Sequence, residues 1–181
     1  MLYWKYVQLE NWDIIQPKLN EVVDGAGFFG TGFFWNTYPI ATLKAQVPEL
    51  TRALLKHGWT IQYSAFILAR PHGGSYLDNI HVDDMFGVAA RLQLPVRNTE
   101  GSFTYFFSAP KTKIQRRLLQ NGHAFWWLDK LDAKEETRVC IDRPTIIRTG
   151  EPHSVLCNPL IRDFRITLTL RLTPDPGRLL V

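Results

Sequence analysis

Apolar positions along this chain follow two different rhythms. From Trp59 onward they recur mostly at every second residue, which is the spacing that puts alternate side chains on one face of a strand. The segments 59–69 "WTIQYSAFILA", 87–96 "GVAARLQLPV", 102–107 "SFTYFF", 124–128 "AFWWL", 137–141 "TRVCI", 144–148 "PTIIR", 153–157 "HSVLC" and 164–172 "FRITLTLRL" are rich in aromatic and β-branched residues and are separated by Gly, Pro and Asn. About eight strands are therefore expected over 59–172. Before Trp59 the rhythm is helical. Leu19, Val22 and Val23 precede Gly25, and Leu50, Leu54 and Leu55 lie on one side of a stretch opened by Pro48 and closed by Gly58. Residues 1–58 thus form a helical preface to a β core, within one domain spanning 1–181.

Two segments fit neither rhythm cleanly. "GAGFFGTGFFWN" (25–36) lacks the preceding strand and following helix of a phosphate-binding loop, so it reads as a packed turn or a lid. "PKTKIQRRLLQNG" (110–122) interrupts the strands with a helix-like period, Ile114, Leu118 and Leu119 falling on one side and Gly122 beyond. Eight antiparallel strands in so short a span suggest two facing sheets, the jelly roll of cupin-like proteins. The fold class expected is mainly β, a double-stranded β-helix with flanking N-terminal helices.

Composition narrows the class without naming an activity. The chain has 181 residues, 45% of them hydrophobic and 13% aromatic, which suits a packed globular domain and excludes disorder as its main state. A net charge of +4 is mild and compatible with an anionic small molecule or with nucleic acid. Lys111, Lys113, Arg116 and Arg117 form a basic run best read as a solvated face, with polyanion binding as the alternative. Cys140 and Cys157 follow no metal-binding spacing and read as buried, inert thiols. The opening residues lack the build of a signal peptide, and no run approaches the roughly 18 apolar residues of a membrane span. A cytoplasmic location without membrane association is expected.

The candidate chemistry begins at "IHVDDMFGVAAR" (80–91). His81 and Asp83 alternate, so they share a strand face, where a metal ion would bridge imidazole and carboxylate. Far downstream, His153 opens another strand, and Arg165, Thr167, Thr169 and Arg171 share one face of the last, leaving a polar face inside what should be core. Two His and one carboxylate can occupy one triangular face of iron(II), leaving three positions for substrate and oxygen. An arginine fork twelve residues after the second His can hold a carboxylate in two parallel bonds, and Thr167 can donate a third. Asp84 points the other way and reads as a solvated charge. His57 suits the end of a helix, and His72 and His123 read as loop residues, His72 also as a candidate substrate contact. Trp126 and Trp127 point to opposite faces, one for the core and one for a pocket or an interface.

"HVD", a distant His and "R-x-T" on the last strand resemble the iron(II)- and 2-oxoglutarate-dependent oxygenases. "HVDDMFGVAARLQLPV" followed by "EPHSVLCNPLIRDFRITLTL" looks most like their aspartyl/asparaginyl β-hydroxylase branch, over roughly residues 66–172. Two positions depart from that branch: Asn158 is displaced by one place behind Cys157, and Gln93 stands where many relatives have His. The resemblance implies Fe(II) held by His81, Asp83 and His153, with 2-oxoglutarate gripped by Arg165 and Thr167. Arg91, Gln93 and Tyr105 are further candidate contacts around the metal or cosubstrate. O2 would be consumed, succinate and CO2 released, and a substrate hydroxylated, or demethylated through hydroxylation. A protein side chain or a small molecule is the expected substrate, with nucleic acid the less favoured class. Two other readings stand beside it: a cupin-like metalloenzyme that does not use 2-oxoglutarate, and a non-catalytic jelly-roll binding module.

Overall fold

A computed structural model describes residues 1–28, 35–70, 75–83, 90–118 and 124–181. Its helices are α1 (Trp12–Gly25), α2 (Ile40–Gln46) and α3 (Pro48–Lys56). The strands are β1 (Trp4–Tyr6), β2 (Trp35–Thr37), β3 (Thr60–Ala69), β4 (His81–Val82), β5 (Ala90–Arg97), β6 (Phe103–Ser108), β7 (Gln115–Leu118), β8 (Ala124–Trp127), β9 (Lys134–Cys140), β10 (Thr145–Arg148), β11 (His153–Leu156) and β12 (Arg165–Thr173). All eight expected strands are present. They lie in two antiparallel sheets, ordered β1-β10-β5-β12-β3-β2 and β7-β8-β4-β11-β6-β9. From β3 to β6 the chain changes sheet at every strand, and it does so again from β9 to β12, giving the winding of a jelly roll.

The period-two pattern explains how the layers assemble. On β12, Ile166, Leu168, Leu170 and Leu172 turn away from the second sheet and pack with Phe66, Leu68, Leu92 and Leu94 against Ile15, Leu19, Leu43, Leu50 and Leu54 of the helices. The largest core therefore lies under the helices. Pro48 begins α3, where its missing N–H costs no hydrogen bond, and Gly58, at φ +73°, takes the left-handed turn after it.

The opposite face of the first sheet looks into the space between the sheets. There Ile147 meets Phe106 and Val139, and Gln93, Thr145, Arg165, Thr167 and Thr169 make a polar stretch, with Ala65, Ile67 and Pro95 beside it on the same face. Phe106 is fully buried among Tyr3, Ile147 and His153. Phe106→Ala should cost about 3–5 kcal/mol of unfolding free energy, read by urea denaturation, because removing a fully buried ring loses its transfer free energy and leaves a cavity.

Residues 110–122 are not the helix their period suggests. Lys111–Lys113 make one 3-10 turn, and Gln115–Leu118 then pair with Ala124–Trp127 as the edge hairpin of the second sheet. Ile114 packs onto the outer face of that sheet beside Ile80, Phe107 and Leu128. A run of four paired residues competes well with a helix that would have only three apolar anchors, so the ladder wins. Lys113 pairs with Asp132 at 3.1 Å and Arg116 is exposed, as a solvated face requires. Three short elements went unpredicted: β1, β2 and α2, the last a seven-residue helix that buries only Leu43. Much of the glycine- and aromatic-rich segment, together with Asp84, His72 and His123, lies outside the described residues. Among the described residues, no helix is long and apolar enough to cross a membrane.

Candidate metal centre

The second sheet brings the two histidines together. β4 lies between β8 and β11, and its first residue, His81, stands directly opposite His153. Directly paired residues present their side chains on the same face, so two imidazoles 72 positions apart in the chain become neighbours, with ring centroids 4.5 Å apart. Asp83 follows two residues after His81, and its backbone N–H donates to Thr149 O at 3.0 Å, which fixes the end of the strand. The Asp83 carboxylate then faces both rings: Oδ1 lies 3.5 Å from His81 Nε2 and 3.8 Å from His153 Nε2. The three side chains offer ligand atoms all within 4.8 Å of one another.

Each ring is held from behind. His81 Nδ1 donates to Asn79 O at 3.0 Å and His153 Nδ1 donates to Glu151 O at 2.9 Å. A carbonyl can only accept, so Nδ1 of each ring carries a proton, and each Nε2 is turned toward Asp83. His153 is buried, and that burial, reinforced by His81, pushes its pKa down to about 4 against the pull of Asp83. Its Nε2 is therefore free of protons at neutral pH. His81 and Asp83 retain some exposure, 24% and 14% of their side chains, so the cluster is reachable from one side.

The donor set fits a first-row divalent ion. Metal–donor bonds of about 2.1 Å put donors at right angles about 3.0 Å apart, so an ion would draw the carboxylate in from its 3.5 and 3.8 Å separations from the two Nε2 atoms. One carboxylate and two neutral imidazoles leave a divalent ion with net positive charge and open positions, and no thiolate is involved to close a structural zinc site.

The other predicted site residues fall in different places. Arg91 approaches the cluster, with Nη1 3.6 Å from Asp83 Oδ2. Gln93, two residues on, is buried and donates through Nε2 to Thr169 Oγ1 at 2.9 Å, so it forms part of the polar inter-sheet lining. Arg165 is 3% exposed and Thr167 is 1% exposed, both on that lining. Among the described residues no carboxylate pairs with Arg165, and its buried Nε has no hydrogen-bond partner. Burial pushes the pKa of this guanidinium down, opposed by the neighbouring thiols of Cys157 and Cys140. An unpaired buried cation beside polar hydroxyls is costly unless an anion completes it.

Tyr105 is a correction. Because Phe106 stands opposite His153, its neighbour Tyr105 points to the outer face of the second sheet. There it stacks on Tyr76 at 4.0 Å and its hydroxyl accepts from Arg138 at 3.2 Å. Tyr105→Phe should lose about 1 kcal/mol of stability in urea titrations and leave metal affinity unchanged. Sequence reasoning missed the two carbonyls behind the histidines and also missed Trp35, whose ring lies 5.1 Å from the Arg91 guanidinium. Trp127 stands opposite His81 and so shares the face of the cluster; the sequence left open which of the two tryptophans would do so.

Fold and cluster together define a double-stranded β-helix carrying a His-x-Asp…His set between its sheets. No protein family and no curated protein matches the sequence. Among solved structures, a non-heme monooxygenase, ThoJ in its apo form, superposes with a TM-score of 0.51 over 96% of this chain and 76% of its own, at 13% identity. The likeness is one of fold.

Proposed function

We propose that this protein is an iron(II)- and 2-oxoglutarate-dependent oxygenase that hydroxylates its substrate, or demethylates it through hydroxylation. The observation that carries this reading is a pair of features on the space between the sheets: a three-donor set of two imidazoles and one carboxylate, and a buried arginine that has no carboxylate partner among the described residues. A non-heme monooxygenase with the same fold is consistent with it.

His81, Asp83 and His153 would hold the iron. Arg165 and Thr167 would bind the far carboxylate of 2-oxoglutarate, the arginine by its planar fork. The chemistry supplied by the bound pair is insertion of one oxygen atom of O2 into a C–H bond, the other atom entering succinate as CO2 departs. The carbonyls of Asn79 and Glu151 keep the imidazoles in the tautomer that leaves Nε2 free, and the buried surroundings of His153 keep bulk water from its side of the site. Gln93 and Thr169, bonded to each other, orient the polar lining along which a dicarboxylate would lie.

A protein side chain or a small molecule remains the favoured substrate class, with the aspartyl/asparaginyl branch as the model for the first. The test is mass spectrometry of peptide and metabolite pools incubated with the protein, Fe(II) and O2, with and without 2-oxoglutarate. An added oxygen or a lost methyl that requires 2-oxoglutarate, matched by succinate, is expected. Turnover that proceeds equally without 2-oxoglutarate would instead assign a cupin-like metalloenzyme of another kind.

A further inference from the structure

The two oxygens of Asp83 have different neighbours. Oδ1 faces His81 Nε2 and His153 Nε2, while Oδ2 faces Arg91 Nη1 at 3.6 Å. Nη1 is buried and, among the described residues, has no hydrogen-bond partner, so this donor sits just outside bonding distance of the carboxylate. Arg91 is itself fixed. Its backbone lies in β5, an inner strand of the first sheet, opposite Ile147 of β10. Its guanidinium rests over the ring of Trp35 at 5.1 Å, a cation–π contact. Trp35 in turn donates its indole N–H to the Tyr63 hydroxyl and stacks on that ring at 6.3 Å, while Thr37 Oγ1 meets the same hydroxyl at 3.0 Å.

We infer that Arg91 is a positioning residue that claims Oδ2 and so makes Asp83 a one-oxygen ligand, with Trp35 and Tyr63 bracing the guanidinium from behind. This rests on the metal-centre reading given above. The physical reason is competition. A free carboxylate beside a divalent ion can rotate to give both oxygens, and the second would fill a position needed by cosubstrate or O2. A guanidinium behind Oδ2 offers that oxygen a charged hydrogen bond instead, formed by a closure of roughly 0.7–0.9 Å. A flexible, strongly hydrated lysine ammonium would hold the charge without the fixed direction. The arrangement also gives the two arginines different roles, since Arg91 serves the metal ligand and Arg165 is left for the anion.

Cobalt(II) titration of the purified protein without 2-oxoglutarate tests this, with affinity from equilibrium dialysis and coordination from the visible d–d spectrum. Arg91→Met should weaken cobalt binding by about ten- to a hundredfold, the usual effect of losing a group that orients a ligand, and should change the d–d spectrum. Arg91→Lys should recover part of the affinity. Trp35→Ala, at a site 39% exposed and so tolerant of truncation, should shift affinity in the same direction and by less. It keeps the test decisive if Arg91→Met fails to fold. Wild-type protein that binds cobalt, with Arg91→Met or Trp35→Ala showing the same affinity and the same spectrum, overturns the inference and leaves the metal centre standing. Wild-type protein that binds no cobalt removes the metal centre and this inference together.

Discussion

Asp83→Ala should abolish metal binding while leaving the β-sandwich folded. The carboxylate supplies the only negative charge in the donor set, and it is the group that both Nε2 atoms face. Without it, two neutral imidazoles remain, with Arg91 close behind them and repelling a cation. The loss should exceed the roughly hundredfold that follows removal of an outer partner. Anaerobic wild-type protein with Fe(II) and 2-oxoglutarate should develop a weak visible charge-transfer band, and the variant should show none at any iron concentration short of precipitation. Stability gives a second readout. A ligand at a hundred times its dissociation constant stabilises the folded state by about 2.7 kcal/mol, so Fe(II) or cobalt should raise the wild-type melting temperature and leave that of Asp83→Ala unmoved. Asp83→Asn should behave similarly, because it keeps the shape and removes the charge. An undiminished band in either variant would move the metal elsewhere.

The sequence was most informative where a local rule and a long-range need coincided. The eight strands of the jelly roll follow from alternation bounded by turn residues, and alternation also puts His81 and Asp83 on one face. That His153 lies opposite His81 depends on register between strands distant in the chain, and no local pattern encodes it. Tyr105 shows the limit most clearly. Alternation says that Tyr105 and Phe106 face opposite ways, but choosing the inner face needs one side of the strand to be visibly polar. Here the outer face, with Phe103 and Tyr105, is covered by Tyr76, Leu77 and Ile114, while the inner face pairs Phe106 with the buried Thr104, so polarity along the strand does not mark the solvent side. Residues 110–122 misled for a related reason: with few apolar anchors, helix and hairpin periods fit almost equally well, and the pairing with β8 decided between them. The strands β1 and β2, three residues each, are too short to carry a period at all. Arg91 was legible as facing the site, since it alternates with Gln93, but its proximity to Asp83 depends on how the two sheets face each other.

Arg165→Met should make the protein more stable and catalytically silent. A residue kept for packing would show the opposite sign. The guanidinium is almost fully buried, its Nε lacks a partner, and among the described residues no carboxylate balances its charge. Keeping an ion in such a place costs several kcal/mol relative to water, and methionine fills a similar volume without that penalty. A gain of about 1–4 kcal/mol in urea unfolding is expected, the range seen when buried charges give way to apolar side chains. Metal binding should survive, because Arg165 is not among the three donors, and the cobalt spectrum should be that of wild type. What should vanish is the response to 2-oxoglutarate: no charge-transfer band, no melting-temperature shift on adding it, and no succinate. Arg165→Lys separates charge from geometry, since it retains the cation but loses the planar fork, and should bind 2-oxoglutarate weakly. A destabilised Arg165→Met that still responds to 2-oxoglutarate would mean that this cation serves the fold, and the dicarboxylate would need another anchor. The expected combination, stability gained as cosubstrate binding is lost, would show that the chain tolerates an unfavourable buried charge because a ligand completes it.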